Sequence, residues 1–258
     1  MSKLFIQTEG RGDIPLVLLH GWALHGGAFA PLVAALRERC TLYLVDLPGH
    51  GRSAASTVSL APAECARAIV DQVPPAAWLG WSLGGLYALQ AALDFPERVL
   101  GLAMLCSSAC LAQRSDWKPA MTHATLRAFG RNFCADYASA VRSFLELEAF
   151  GNDAARADLG KLRIDAFTRW PPRQRALTTG LEAIERADLR ARLPAMQPPS
   201  AWIAGRRDRM VPWQAMQWCA QHCGGTFTRI EGGGHAPFIG HAAEVVAALE
   251  PLLAKVPA

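Results

Sequence analysis

The chain has 258 residues, of which 51% are hydrophobic and 19% are charged, and its formal net charge is +4. This composition supports a large buried core and excludes wholesale disorder, and the length suits one α/β domain with an insertion. No block of lysine and arginine interleaved with aromatic residues is visible, so we expect no binding to nucleic acid.

Neither a secretion signal nor a membrane segment is evident. The first ten residues lack a long apolar run and a small-residue cleavage site, and no later stretch approaches a membrane span. We therefore expect a cytoplasmic protein without membrane contact. The seven cysteines are scattered through apolar segments, which favours reduced thiols. None is joined by the further Cys or His residues that a metal site needs, so we expect neither a metal nor a cofactor.

Short apolar runs alternate with segments of helical period, a pattern typical of βαβ units and a mostly parallel sheet. It predicts strands at Leu16–Leu19, Thr41–Val45, Ala77–Leu79, Val99–Leu105, Ser200–Ala204 and Thr226–Ile230. A helix is predicted over Leu83–Phe95, directly after the third of these strands. A strand, a turn and a helix therefore follow one another around Ser82.

The pattern changes over residues 111–187, where aliphatic strands disappear and the sequence becomes rich in arginine and alanine. This predicts a helical cap inserted into a core formed by residues 1–110 and 188–258. Ligands of open α/β sheets bind at the carboxyl edge of the strands. We expect the cap to cover that edge.

Residues 80–84 read Gly-Trp-Ser-Leu-Gly and match the G-x-S-x-G nucleophile elbow. Small flanking residues let the backbone turn sharply and lift the serine hydroxyl out of the sheet. The pentapeptide also occurs by chance in glycine-rich loops, but here a strand precedes it and a helix follows. The sequence therefore predicts Ser82 as a nucleophile.

A serine hydroxyl is a weak nucleophile at neutral pH and needs a general base, which in turn needs an orienting acid. Asp208 and His235 each follow a predicted strand, in the order Ser, Asp, His. The alternatives are a solvated Asp208 paired with neighbouring arginines and a His235 that only caps the last helix. The preferred interpretation is a catalytic triad in an α/β-hydrolase fold, with helices on both faces of a mostly parallel sheet.

The turn His20-Gly21-Trp22 follows the first predicted strand, from which this fold supplies one oxyanion-hole amide. The backbone N–H groups of Trp22 and Leu83 are the predicted pair. Trp22 is also expected to contact substrate, whereas Trp81 and His20 are expected to be structural. The other histidines are expected at the surface or behind the site: His25, His50, His123 and His222, together with His241.

Read together, residues 18–22, 45–53, 78–85 and 234–238 resemble the pimeloyl-[acyl-carrier protein] methyl ester carboxylesterases of biotin synthesis. The His-Gly and Gly-x-Ser-x-Gly elements alone would indicate only the superfamily. Trp22 and Trp81 are what indicate this particular family. The resemblance implies substrate contacts by Trp22, Ser82, Leu83 and His235. It also identifies an acyl-chain segment in the cap, Phe144, Leu145, Glu146, Leu147 and Glu148, in which Glu148 replaces an uncharged residue.

The implied substrate is a pimeloyl chain with a methyl ester at its far end and a thioester to the carrier protein at its near end. Between residues 111 and 175 the sequence has eleven Lys/Arg against seven Asp/Glu, a net +4. Acyl carrier proteins are acidic, so a basic cap can steer one to the site. The candidate docking residues are Arg142, Arg156, Lys161 and Arg163; the alternative is an ordinary solvated helical surface.

Other functions remain open on the residues alone. A general short-chain carboxylesterase, a C–C bond hydrolase or a peptidase of the same superfamily would share the triad. Haloalkane dehalogenases and epoxide hydrolases carry aspartate at the elbow, so Ser82 argues against them. A non-catalytic receptor on this scaffold would usually have lost a residue of the triad, and all three are present here.

Overall fold

A computed structural model describes residues 3–148 and 169–257. Its centre is a seven-stranded sheet in the order β1-β3-β2-β4-β5-β6-β7. Only β1 is antiparallel to its neighbour; the other pairs are parallel. The strands are β1 (Ile6–Glu9), β2 (Ile14–Leu19), β3 (Cys40–Val45), β4 (Ala76–Trp81), β5 (Val99–Leu105), β6 (Ser200–Gly205) and β7 (Thr226–Ile230).

The α-helices of the described residues fall into two groups. Five belong to the sheet layers: α1 (Ala30–Leu36), α2 (Pro62–Val70), α3 (Leu83–Asp94), α7 (Trp213–Cys223) and α8 (Ala242–Leu253). Three lie between β5 and β6: α4 (His123–Ala135), α5 (Tyr137–Glu148) and α6 (Gln174–Arg186). α4 packs against both α5 and α6, and α6 contacts α3.

The strand order determines which face of the sheet each helix covers. The crossover from β2 to β3 runs in the opposite direction from those that lead to β4, β5 and β7. Because parallel crossovers are right-handed, α1 covers one face, and α2, α3 and α7 cover the other. α8 packs against α1 and so belongs to the first face.

The crossover direction reverses between β2 and β4, which are neighbours in the sheet. Ligands of doubly wound sheets bind at such a reversal, beyond the carboxyl ends of the strands. The turn after β2 carries Trp22, and the turn after β4 carries Ser82. The topology therefore brings these two turns to one edge.

The predicted fold class is confirmed, as are the six predicted strands and the helix after Ser82. The sequence missed β1, because its four residues, Ile-Gln-Thr-Glu, are largely polar and no side chain is fully buried. This edge strand forms by pairing antiparallel with β3.

The described part of residues 111–187 contains α4, α5 and α6 and no strand. Its division from the core at residues 111 and 187 stays a prediction. Within the part of the chain that the structure describes, no helix is long and apolar enough to cross a membrane.

Candidate active site

Ser82 lies in the turn between β4 and α3, with φ 54° and ψ −123°. This left-handed φ is strained for a residue with a side chain. A Cβ on Gly80 would lie 2.4 Å from the Cα of Gly85, and one on Gly84 would lie 2.1 Å from the carbonyl oxygen of Leu19. Both glycines of the motif are therefore required by close backbone packing. The strained turn has the geometry of a nucleophile elbow.

The structure brings Ser82, Asp208 and His235 together. Nε2 of His235 lies 2.9 Å from Oγ of Ser82, and Nδ1 lies 2.8 Å from Oδ2 of Asp208. The other carboxylate oxygen of Asp208 accepts hydrogen bonds from the amides of Met210 and Val211, at 2.7 and 2.9 Å. These two amides hold the carboxylate towards His235.

Neither alternative to the triad fits this geometry. Asp208 is buried rather than solvated beside arginines. His235 is also buried, and the histidine that pairs with Glu244 of the last helix is His241, at 2.7 Å.

The protonation of His235 is biased by its neighbours. Burial disfavours the charged imidazolium, but the charge and hydrogen bond of Asp208, together with the charge of Glu148, outweigh it and raise the pKa of His235. A carboxylate only accepts hydrogen bonds, so the proton of the neutral ring lies on Nδ1. Nε2 is then free to accept the proton of Ser82.

The turn that carries Trp22 lies directly against Ser82. A Cβ on Gly21 would be 3.2 Å from the Cβ of Ser82, and Ala23 has a strained φ of 65°. Neither the amide of Trp22 nor that of Leu83 donates a hydrogen bond to another described residue. Leu83 is the first residue of α3, where the helix has unpaired N–H groups. Two unpaired amides therefore flank Ser82.

The buried ring of His20 stabilises the turn that carries Trp22 through two hydrogen bonds. Its Nε2 accepts from the amide of Leu47 at 2.9 Å, and its Nδ1 donates to the carbonyl of Gly21 at 2.8 Å. Burial and the neighbouring His50 lower the pKa of His20 well below its usual range, so it stays neutral. His50 is fully buried, with its ring 5.3 Å from that of His20, and lies behind the site.

A narrow apolar cavity opens onto Ser82 and His235. Its aromatic lining comes from both core and cap: Trp22, Trp81, Phe129, Phe133 and Phe144. The aliphatic lining includes Leu111, Met121, Leu126, Leu181, Ile184 and Met210. A second groove shares six lining residues with the cavity, among them Phe144 and His235, and extends along α5 towards Arg207 and Arg209.

The residues of the predicted acyl segment separate in the structure. Phe144 lines the cavity, with its ring 6.2 Å from Trp81. Leu145 is buried in the core and Glu146 is exposed, and neither lines the cavity. Leu147 is 60% exposed and lines the outer groove. The carboxylate of Glu148 accepts a hydrogen bond from the amide of Ala236 at 2.7 Å.

Of the predicted docking residues, Arg142 is exposed on α5. Arg156, Lys161 and Arg163 lie outside the described residues. All seven cysteines are free thiols. Among the described residues, no group of three or more His, Cys, Asp or Glu side chains could hold a metal ion.

Sequence reasoning missed two contacts around Ser82 and His235. The hydroxyl of Ser107 donates to the carbonyl of Ser82 at 2.7 Å, and the indole N–H of Trp81 donates to the carbonyl of His235 at 2.7 Å. Trp81 therefore does more than pack, because it also holds the loop of His235. All six residues of β4 are buried, so the sequence pattern carried no signal for either contact.

The sequence model for the α/β hydrolase fold matches residues 14–242. Solved structures agree on the fold. An esterase from Exiguobacterium antarcticum superposes with a TM-score of 0.85 at 21% identity, covering 98% of this chain and 96% of that one. A bromoperoxidase from Bacillus anthracis gives 0.83 at 20% identity, covering 97% and 95%. The protein is a member of the α/β hydrolase family.

Curated relatives give a narrower assignment. The chain is 47% identical to a protein of Stenotrophomonas maltophilia strain R551-3, covering 97% of this chain and 96% of the relative. It is 43% identical to a protein of Xylella fastidiosa strain M23, covering 98% and 100%. Both relatives are named pimeloyl-[acyl-carrier protein] methyl ester esterase. The chain belongs to this esterase family, which confirms the resemblance read from its motifs.

Proposed function

We propose that this protein is a serine carboxylesterase that hydrolyses the methyl ester of pimeloyl-[acyl-carrier protein], releasing methanol, in biotin synthesis. The observation that carries the chemistry is the continuous hydrogen-bonded chain from Ser82 through His235 to Asp208. The substrate is supported by near full-length relatives that carry this activity in their names.

In the first half of the reaction, Oγ of Ser82 attacks the ester carbonyl carbon while Nε2 of His235 takes the hydroxyl proton. The carbonyl oxygen becomes an oxyanion, which the amides of Trp22 and Leu83 stabilise. Collapse of this intermediate breaks the bond to the methoxy oxygen. His235 returns its proton to that oxygen, so methanol leaves and the acyl group stays on Ser82.

In the second half, His235 accepts a proton from a water molecule that attacks the acyl carbonyl carbon. The second tetrahedral intermediate uses the same oxyanion hole. When it collapses, the bond to Oγ of Ser82 breaks and His235 reprotonates the serine. The products are the carboxylic acid, which ionises, and the resting enzyme.

The lining of the cavity suits an acyl chain with a masked end. A methyl ester is neutral, so the far end of the chain enters an apolar cavity without the desolvation penalty of a carboxylate. The aromatic rings of Trp22, Phe133 and Phe144 offer apolar contact to methylene groups. After hydrolysis the product carries a charge in the same surroundings, which favours its release.

Carrier-protein docking on the cap, formed by residues 111–187, is part of the proposal. Arg142 lies on the exposed face of α5, two residues from Phe144 of the cavity wall. An acidic partner attracted there would present its acyl arm near the groove. A cytoplasmic location stays a prediction.

The deciding experiment compares kcat/KM for methyl pimeloyl-carrier protein with that for a short-chain ester such as p-nitrophenyl acetate. We expect a strong preference for the carrier-bound ester. Equal efficiency, or a preference for the small ester, would instead support the general carboxylesterase.

Docking is tested by changing Arg142 and Arg156 together to glutamate. The kcat/KM for the carrier-bound substrate should fall, and the loss should shrink as salt is added. Hydrolysis of the small ester reports on the chemistry separately. Equal losses on both substrates would indicate a damaged cap, and no loss on either would refute docking through these arginines.

A further inference from the structure

Glu148 is the last residue of α5 and lies against the loop that carries His235. Its Oε2 accepts a hydrogen bond from the amide of Ala236 at 2.7 Å. A Cβ on Gly234 would lie 2.5 Å from the same oxygen, so the carboxylate rests directly on the backbone of this loop. A residue of the cap is thus bonded to the residue that follows the general base.

The charged and titratable groups around His235 come from four elements. Asp208 faces Nδ1 from the loop after β6, and the carboxylate of Glu148, at the end of α5, accepts a hydrogen bond from Ala236, the residue after His235. The remaining groups are the Cys106 thiol beyond β5, which donates to the carbonyl of Gly234, and three residues of the outer groove, Arg207, Arg209 and Asp136. Glu148 is a second carboxylate at the loop of His235, and the hydrogen-bonded chain from Ser82 to Asp208 does not include it.

The electrostatic coupling between Glu148 and His235 acts in both directions. Burial raises the pKa of Glu148, while the imidazole and the Ala236 amide oppose that shift. Burial lowers the pKa of His235, but Asp208 and, to a smaller extent, Glu148 raise it by more than burial lowers it. A charged Glu148 therefore favours the imidazolium that forms during the reaction.

Resting on the esterase mechanism proposed above, we propose that Glu148 is a positioning residue for the general base. Its carboxylate ties the end of α5 to the loop of His235 and keeps a second negative charge beside the imidazole. Glu148 therefore has two roles: it accepts a hydrogen bond from the Ala236 amide, and it carries a negative charge near His235. Substitutions can remove them one at a time.

The charge is tested with Glu148→Gln, which retains an acceptor oxygen for the Ala236 amide. Without the charge the imidazolium is less stable, so the pKa of His235 should fall. The acidic limb of the kcat/KM profile for a short-chain ester should then move to lower pH by at least about half a unit, equal to about threefold more activity relative to the plateau well below the midpoint. A general loss of activity would scale the profile without moving its midpoint.

A matched control is Glu182→Gln, which removes the same charge from an exposed position on another cap helix, α6. Its acidic limb should keep the wild-type midpoint. The pKa of His235 should also be read by NMR titration of the imidazole, with Ser82→Ala as the common background. This measurement needs no turnover, so it tests Glu148 even if the proposed substrate is wrong.

The tie is tested with Glu148→Ala by hydrogen exchange at the Ala236 amide. Loss of the hydrogen bond should speed exchange of this amide by at least about tenfold, and Glu148→Gln should not. The proposal is overturned if Glu148→Gln leaves the His235 titration where Glu182→Gln leaves it. It is equally overturned if Glu148→Ala leaves Ala236 exchange unchanged.

Discussion

Asp208→Asn should abolish most turnover while leaving the protein folded. In the native site, Oδ1 of Asp208 accepts two backbone amides and Oδ2 accepts the Nδ1 proton of His235. An asparagine has one oxygen and one NH2 group to fill these positions. The two amide donors, from Met210 and Val211, require the oxygen on their side.

The NH2 group of the new side chain must then face Nδ1 of His235. Turning it over would leave two amide donors unpaired, one buried and one partly buried, at a cost of up to about 1–3 kcal/mol each. Facing an NH2 donor, the imidazole keeps its proton on Nε2, which lies against Oγ of Ser82. The base can no longer accept the serine proton.

The expected loss in kcat is about 10⁴-fold, equal to about 5.5 kcal/mol of transition-state stabilisation. The assay is kcat and kcat/KM on a short-chain ester, with circular dichroism and thermal unfolding to establish that the fold is retained. Asp71→Asn, an exposed acid after α2, is the matched control and should behave as wild type. A folded Asp208→Asn protein within tenfold of wild type would refute the orienting role.

Three further predictions follow from the same geometry. Ser82→Ala and His235→Ala should each lose several orders of magnitude in kcat. The double variant should be little worse than either single variant, and multiplicative losses would show that the two residues do not act as a unit. Because His235 must be neutral to act, kcat/KM should fall as the pH drops. Since the pKa of His235 is raised, the midpoint should lie above the usual histidine value of about 6.5. A midpoint below that value would contradict the placement of Asp208 and Glu148 next to His235. Gly84→Ala should lower the free energy of unfolding in urea by at least about 2 kcal/mol, since its Cβ would lie 2.1 Å from a backbone oxygen. The control Gly224→Ala has open space and only a positive φ, and should cost about 1 kcal/mol; equal costs would argue against the close packing.

The sequence by itself determined the parts of the site that depend on local spacing. The glycines around Ser82, the strand before it and the helix after it specify an elbow within a few residues. Asp208 and His235 could be placed because each directly follows an apolar strand, and the carboxyl ends of parallel strands meet at one edge. Chain order and strand ends were therefore enough for the triad.

Contacts between distant segments were decided only by the tertiary structure. The hydrogen bond from Ala236 to Glu148 joins residues 88 positions apart, and that from Trp81 to His235 joins residues 154 apart. The sequence could mark Glu148 as an unusual charge in its segment, but not what the charge touches. Side-chain partners at such separations depend on how the cap helices lie on the core. Local periodicity sets which face of a helix is apolar, and packing decides what that face meets.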